Sequence, residues 1–120
     1  MVVDSSVWIE IFVSGKKAKS CKRAIDDAKE VTVPTVVLYE IYKKIKHKVS
    51  EESALEAVAS LSQYKVEDFN REIAMTAADL SLEHKIAMAD SIVLAHALNK
   101  NTELLTLDND FRGIPGAKVL

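Results

Sequence analysis

Chain breakers are scarce in this sequence, with three glycines and two prolines in 120 residues. That excludes collagen-like, linker-rich and Pro/Gly-biased disordered classes. Cysteine occurs once, at Cys21, so neither an internal disulfide nor a multi-cysteine zinc site is available. No apolar run approaches the ~20 residues of a membrane span. The N-terminus has no basic segment leading into an apolar signal core, so a cytoplasmic location without membrane attachment is expected. A net charge of −2 argues against a strong non-specific nucleic-acid binder.

What is present is apolar content of 48% in a chain of single-domain length. One domain over residues 1–120, burying roughly two thirds of its unfolded surface, is expected. Charge is unevenly spread. Residues 14–48 hold ten Lys or Arg against four Asp or Glu, and the remainder six against fourteen. Such an asymmetry suits a basic approach surface beside an acidic pocket. Simple solvation of two helices explains the lysines equally well.

Four stretches set an acid in or at the edge of an apolar run. They are Val2-Val3-Asp4, Val36-Val37-Leu38-Tyr39-Glu40-Ile41, Met88-Ala89-Asp90-Ser91-Ile92-Val93-Leu94 and Leu104-Leu105-Thr106-Leu107-Asp108. A carboxylate in apolar company loses hydration, and something must offset that loss. Each has an ordinary explanation taken alone: Asp90 as a first-turn acid, and Asp108-Asn109-Asp110 as a turn. Together they point to one buried acidic site for a hard, oxygen-preferring cation such as Mg²⁺ or Mn²⁺.

Periodicity places these acids on elements. Met1 to Asp4 reads as a buried strand, followed by a helix carrying Val7, Trp8, Ile11 and Phe12 that stops at Ser14-Gly15. A second helix spans about Lys17 to Ala28, and Val31 to Val33 is the second strand. Pro34-Thr35 opens a helix with Val37, Ile41 and Ile45 on one face. Ser50 caps a fourth helix ending near Leu61, with Glu51 and Glu52 in its first turn. Tyr64 to Glu67 is the third strand, Asn70 to Glu83 and Asp90 to Asn99 are helices, Glu103 to Leu107 is the fourth strand, and Ala117 to Leu120 an edge strand.

Strands alternating with helices predict an α/β domain, its mostly parallel sheet of about five strands covered on both faces. The two consecutive helices over 34–62 are expected to stand out as a small arm, with Tyr39, Tyr42 and Leu61 exposed for partner contacts or used in ordinary packing. Ligands of such sheets sit beyond the carboxyl ends of the strands, where strand order reverses. Asp4 and Asp108 would both be presented there. Glu40 falls on or beside the buried stripe of its helix, where Leu or Ala is usual.

With these residues assembled, the chain resembles the PIN-domain ribonucleases, and more narrowly the VapC-type toxins of prokaryotic toxin–antitoxin pairs. The resemblance covers nearly the whole chain. It rests on Val2-Val3-Asp4-Ser5-Ser6, Glu40, Asp90-Ser91-Ile92-Val93-Leu94-Ala95-His96-Ala97 and Leu105-Thr106-Leu107-Asp108-Asn109-Asp110-Phe111. It implies a three-layer α/β/α sandwich. It also implies that Asp4, Glu40, Asp90 and Asp108 are catalytic metal ligands, with Ser6 orienting the first acid or a water and Asp110 supporting. The implied activity is hydrolysis of RNA by a metal-activated water, leaving a 5′-phosphate and a 3′-hydroxyl. The implied assembly is a homodimer blocked by a small antitoxin.

Other readings predict different residues. A metal-free ribonuclease acting through the RNA 2′-hydroxyl wants a general acid and base, often two histidines. His47 and His84 lie at helix ends and His96 inside an apolar helix, which disfavours that mechanism. A receiver domain wants an acidic pair after the first strand and a lysine after the fifth. This chain offers Asp4-Ser5-Ser6 and, inside its last strand, Lys118. A housekeeping RNA-processing nuclease and a non-catalytic PIN-like binding module stay open, although a pure binding surface gains nothing from buried like charges.

Overall fold

A computed structural model describes all residues 1–120. Five short strands form one sheet: β1 (Val2–Val3), β2 (Thr32–Pro34), β3 (Lys65–Glu67), β4 (Leu104–Thr106) and β5 (Ala117–Val119). Six helices accompany them: α1 (Ser5–Phe12), α2 (Ala18–Asp26), α3 (Thr35–Lys48), α4 (Glu51–Leu61), α5 (Arg71–His84) and α6 (Met88–Asn99). A 3-10 turn over Asn109–Phe111 follows β4. The strand order is β3-β2-β1-β4-β5 and every pairing is parallel.

That order decides where a site can form. The chain moves outward from β1 through β2 to β3, then returns across the sheet to β4 on the far side of β1. Right-handed crossovers running in opposite directions put α1–α4 on one face and α5–α6 on the other. The crevice between β1 and β4 is the topological switch point. Val2, Val3, Val33, Leu104 and Leu105 are fully buried beneath both layers, as a parallel sheet requires.

Boundaries fall within two residues of the sequence expectation, and the small departures matter. Helix α6 starts at Met88, so Asp90 lies within its first turn instead of opening it. Residues Ser91 to Ala97 of this helix are all buried. The α3–α4 pair is not a free arm. Val37, Ile41 and Ile45 of α3 join Ala54, Ala57 and Leu61 of α4 in the main core. Leu61, expected among exposed contact residues, is 0% exposed, because α4 turns its one apolar stripe onto α3. Tyr39 is open to solvent and Tyr42 half-buried. His96 is a core residue: its Nδ1 lies 2.7 Å from Glu67 Oε1, while Nε2 has no partner. Cys21 is buried and burial raises its thiol pKa, as fits a passive packing residue. No helix is long and apolar enough to cross a membrane.

Candidate metal centre

Asp4 leaves β1 as the N-cap of α1, so strand, cap and site share one residue. Its backbone N–H donates to Leu105 O at 2.9 Å, which ties it to β4. Although 5% exposed, its carboxylate is well served. Ser5 N donates to Oδ1 at 2.8 Å, while the Ser6 hydroxyl (2.9 Å) and the Thr106 hydroxyl (2.8 Å) both donate to Oδ2. A carboxylate has about four acceptor sites. Three are filled by the protein, and one is left over.

Thr106 was the residue that sequence reasoning passed over. It ends β4, is fully buried, and its Oγ1 also accepts from Asp108 N at 3.0 Å. One hydroxyl therefore couples the acid after β1 to the acid after β4. The signal was present: a threonine in the otherwise apolar Leu104-Leu105-Thr106 strand needs partners if buried. Ser6 completes the frame by accepting from Leu107 N at 3.0 Å.

Asp108 caps the 3-10 turn, its Oδ1 accepting from Asp110 N at 2.9 Å, and buried Phe111 anchors the turn from below. This brings Asp110 back toward Asp90. Ligand oxygens of Asp90, Asp108 and Asp110 all lie within 4.8 Å of one another. Asp110, expected as an outer support, thus sits in the tightest acidic group of the molecule. Asp4, Glu40, Asp90 and Asp108 line one cleft of about 430 Å³, so the four expected acids do share a cavity.

The electrostatics follow from this crowding. Burial raises the pKa of Asp4 above the ordinary carboxylate value, and the Asp108 charge adds to the rise. Its three donors pull the other way without cancelling it. Burial also raises Glu40, helped by Asp4 and Asp90, with Ser5 and Lys44 offsetting part of the effect. Asp90 is pushed up to about 6, first by burial and then by Asp4, Asp108 and Asp110. No Lys or Arg forms an ion pair with any of the five acids. Like charges crowded without an ion-paired counter-charge fit a divalent cation held by hard oxygen ligands. An all-oxygen donor set suits Mg²⁺ or Mn²⁺ and does not suit softer metals.

Helix α3 contributes more than Glu40, setting two lysines of the basic 14–48 segment beside the acids. Tyr39, Lys43, Lys44 and His47 line the same cleft. His47, at the end of its helix, reaches the rim because α3 runs along the cleft.

Comparison with known proteins identifies the fold and the family. The model of the PIN domain family matches residues 1–117. A chain of a toxin–antitoxin complex from Klebsiella pneumoniae is similar, with 26% identity, TM-score 0.83 and coverage of 98% of this chain and 95% of that one. The Mycobacterium tuberculosis sarcin–ricin-loop-cleaving toxin VapC20 has TM-score 0.84 at 19% identity, covering 98% and 97%. VapBC-1 of nontypeable Haemophilus influenzae has TM-score 0.77 at 17% identity, covering 99% and 95%. No curated protein matches the sequence significantly. A five-stranded parallel sheet with acids at its switch point, matched along almost its full length, places this chain in the PIN domain family.

Proposed function

We propose that the protein is a divalent-metal-dependent endoribonuclease and the toxin of a VapBC-type pair. The observation that carries this reading is the convergence of Asp4, Glu40, Asp90, Asp108 and Asp110 with no cationic side chain paired to any of them. A pocket built only for structure would neutralise or remove such charges. Membership of the PIN family, and likeness to solved VapC and VapBC structures, support a nuclease with an antitoxin partner.

Asp90, Asp108 and Asp110 would hold Mg²⁺ or Mn²⁺, with Asp4 and Glu40 completing the acidic wall. A divalent cation there supplies Lewis acidity and an activated water for in-line attack on a phosphodiester. The chain's own residues do the positioning. Ser5 N–H, Ser6 and Thr106 fix the Asp4 carboxylate, so that one unshared acceptor direction remains. Asp90, with a pKa of about 6, is already mostly ionised at neutral pH and presents a strained carboxylate that an entering cation would relieve. Glu40, half-buried on α3, keeps a carboxylate at the cleft wall, where a proton from the attacking oxygen can be accepted. A homodimer, as in the family the sequence resembles, is part of the proposal.

Labelled structured RNA incubated with purified protein tests this reading. Cleavage is expected with Mn²⁺, none with chelator, and none by Asp4→Asn in either condition. An Asp4→Asn protein that cut at the parental rate would overturn the assignment.

A further inference from the structure

Helix α3 carries two Tyr–Lys pairs spaced four residues apart, built alike and used differently. In the first, Lys43 Nζ lies 3.4 Å from the Tyr39 hydroxyl and 5.5 Å from the ring centroid. In the second, Lys46 Nζ lies 3.4 Å from the Tyr42 hydroxyl and 5.3 Å from the ring. Lys46 is neutralised by Glu51 of α4 at 3.3 Å. Lys43 has no carboxylate partner, and neither does its neighbour Lys44. Tyr42 is half-buried, whereas Tyr39 is 61% exposed and is the most exposed aromatic ring of the protein.

The free pair is the one at the acidic cleft. Tyr39, Lys43, Lys44 and His47 line it together with Asp4, Asp90 and Asp108. An anionic strand approaching five carboxylates meets repulsion, and cations on one rim lower it locally. Solvation alone accounts for exposed lysines, but not for an aromatic ring left open beside them. A solvated π-face next to an unpaired ammonium matches a nucleotide: the base stacks on the ring and a phosphate takes the charge. Stacking of this kind requires a base that is not already within a duplex.

Resting on the ribonuclease reading above, we infer that Tyr39 and Lys43 form a nucleotide subsite for the residue flanking the scissile phosphate. Tyr39 stacks an unpaired base, and Lys43, steadied by the Tyr39 hydroxyl, donates to a neighbouring phosphate. The substrate segment entering the cleft is therefore single-stranded or a loop. The subsite is tolerant of base identity, because every base has a π-face.

The test uses the full-length protein, Mn²⁺ and a labelled single-stranded RNA. A single abasic nucleotide is moved stepwise past the cleavage position. In the wild type, one abasic position should weaken the substrate by about five- to a hundredfold. Tyr39→Ala should show a loss of the same size on the intact RNA, falling on KM and not kcat, and should no longer respond to the abasic position. Tyr39→Phe, which keeps the ring, should recover most of that loss. Lys43→Ala should weaken binding and reduce the salt slope by about 0.7, while Lys46→Ala behaves as wild type. Tyr39→Ala with unchanged KM, or with the abasic penalty intact, overturns the inference. Should the wild type cut no RNA, the ribonuclease reading fails. The subsite is then decided separately by anisotropy of the same oligonucleotides: a Tyr39-dependent penalty at one position supports it, and uniform or absent binding overturns it.

Discussion

Carboxylates at two places in this molecule receive opposite treatment. On β3, Glu67 accepts from Lys100 at 2.8 Å and pairs with His96 at 2.7 Å. Burial pushes its pKa up, but the Lys100 and His96 contacts outweigh this and hold it below the ordinary value. At the switch point, burial and mutual repulsion raise Asp4, Glu40 and Asp90, no ion pair forms with any of them, and Lys44 offsets only part of the rise at Glu40. The same chain thus neutralises an acid where the fold alone is served, and leaves four acids of one cleft, with Asp110 beside them, without an ion-pair partner. That contrast, more than the number of acids, marks the cleft as a place for a bound cation.

The largest expected effect falls on activity. Asp4→Asn should remove metal-dependent RNA cleavage by several orders of magnitude, read as initial rate, while far-UV circular dichroism stays native. Substitutions in the two sets should then move stability in opposite directions. Glu67→Ala leaves the buried His96 ring without a partner on either nitrogen and should cost about 1–3 kcal/mol by denaturant unfolding. Asp90→Asn removes a repelled charge and should stabilise the metal-free protein by on the order of 1 kcal/mol, after discounting for its exposure to solvent. A loss of stability in Asp90→Asn would end the contrast.

The same distinction is readable by pH. Asp90 has its folded pKa raised from 3.8 to about 6. Its stabilising contribution is complete below the unfolded value and is lost as pH rises through the folded one. Asp4 and Glu40 act in the same direction. Metal-free protein should therefore lose thermal stability as pH rises through this window, and saturating Mn²⁺ should abolish the decline. Glu67, shifted downward, contributes above its unfolded pKa and loses that contribution on acidification. Thr106→Val has a smaller reach. It deprives Asp4 of one donor and Asp108 N of its acceptor, so about 1–2 kcal/mol of destabilisation is expected, together with weaker Mn²⁺ affinity by titration calorimetry.

Much of this was legible in the sequence, for identifiable reasons. Parallel strands buried on both faces read as apolar runs, so Val2-Val3 and Leu104-Leu105 stood out, and the acids directly after them were placed by topology. Glu40 stood out because it interrupts a helix face. Other features depended on where turns and helices lead. Nothing local shows that the 3-10 turn folds Asp110 back to Asp90, or that α3 lies along the cleft with Tyr39, Lys43 and His47 facing it. Leu61 could not be told from an exposed contact residue until α4 was seen against α3. Thr106 was legible in principle, as a hydroxyl within a buried strand, but its partners lie 102 and two residues away.

The central claim is that the uncompensated acids form a cation site. Thermal unfolding at neutral pH across a Mn²⁺ titration tests it most directly, comparing wild type with Asp90→Asn. The account predicts a saturable rise for the wild type, about 2.7 kcal/mol at one hundred times the dissociation constant, and a much smaller rise for Asp90→Asn. A wild-type protein indifferent to Mn²⁺, or two proteins responding alike, would contradict it.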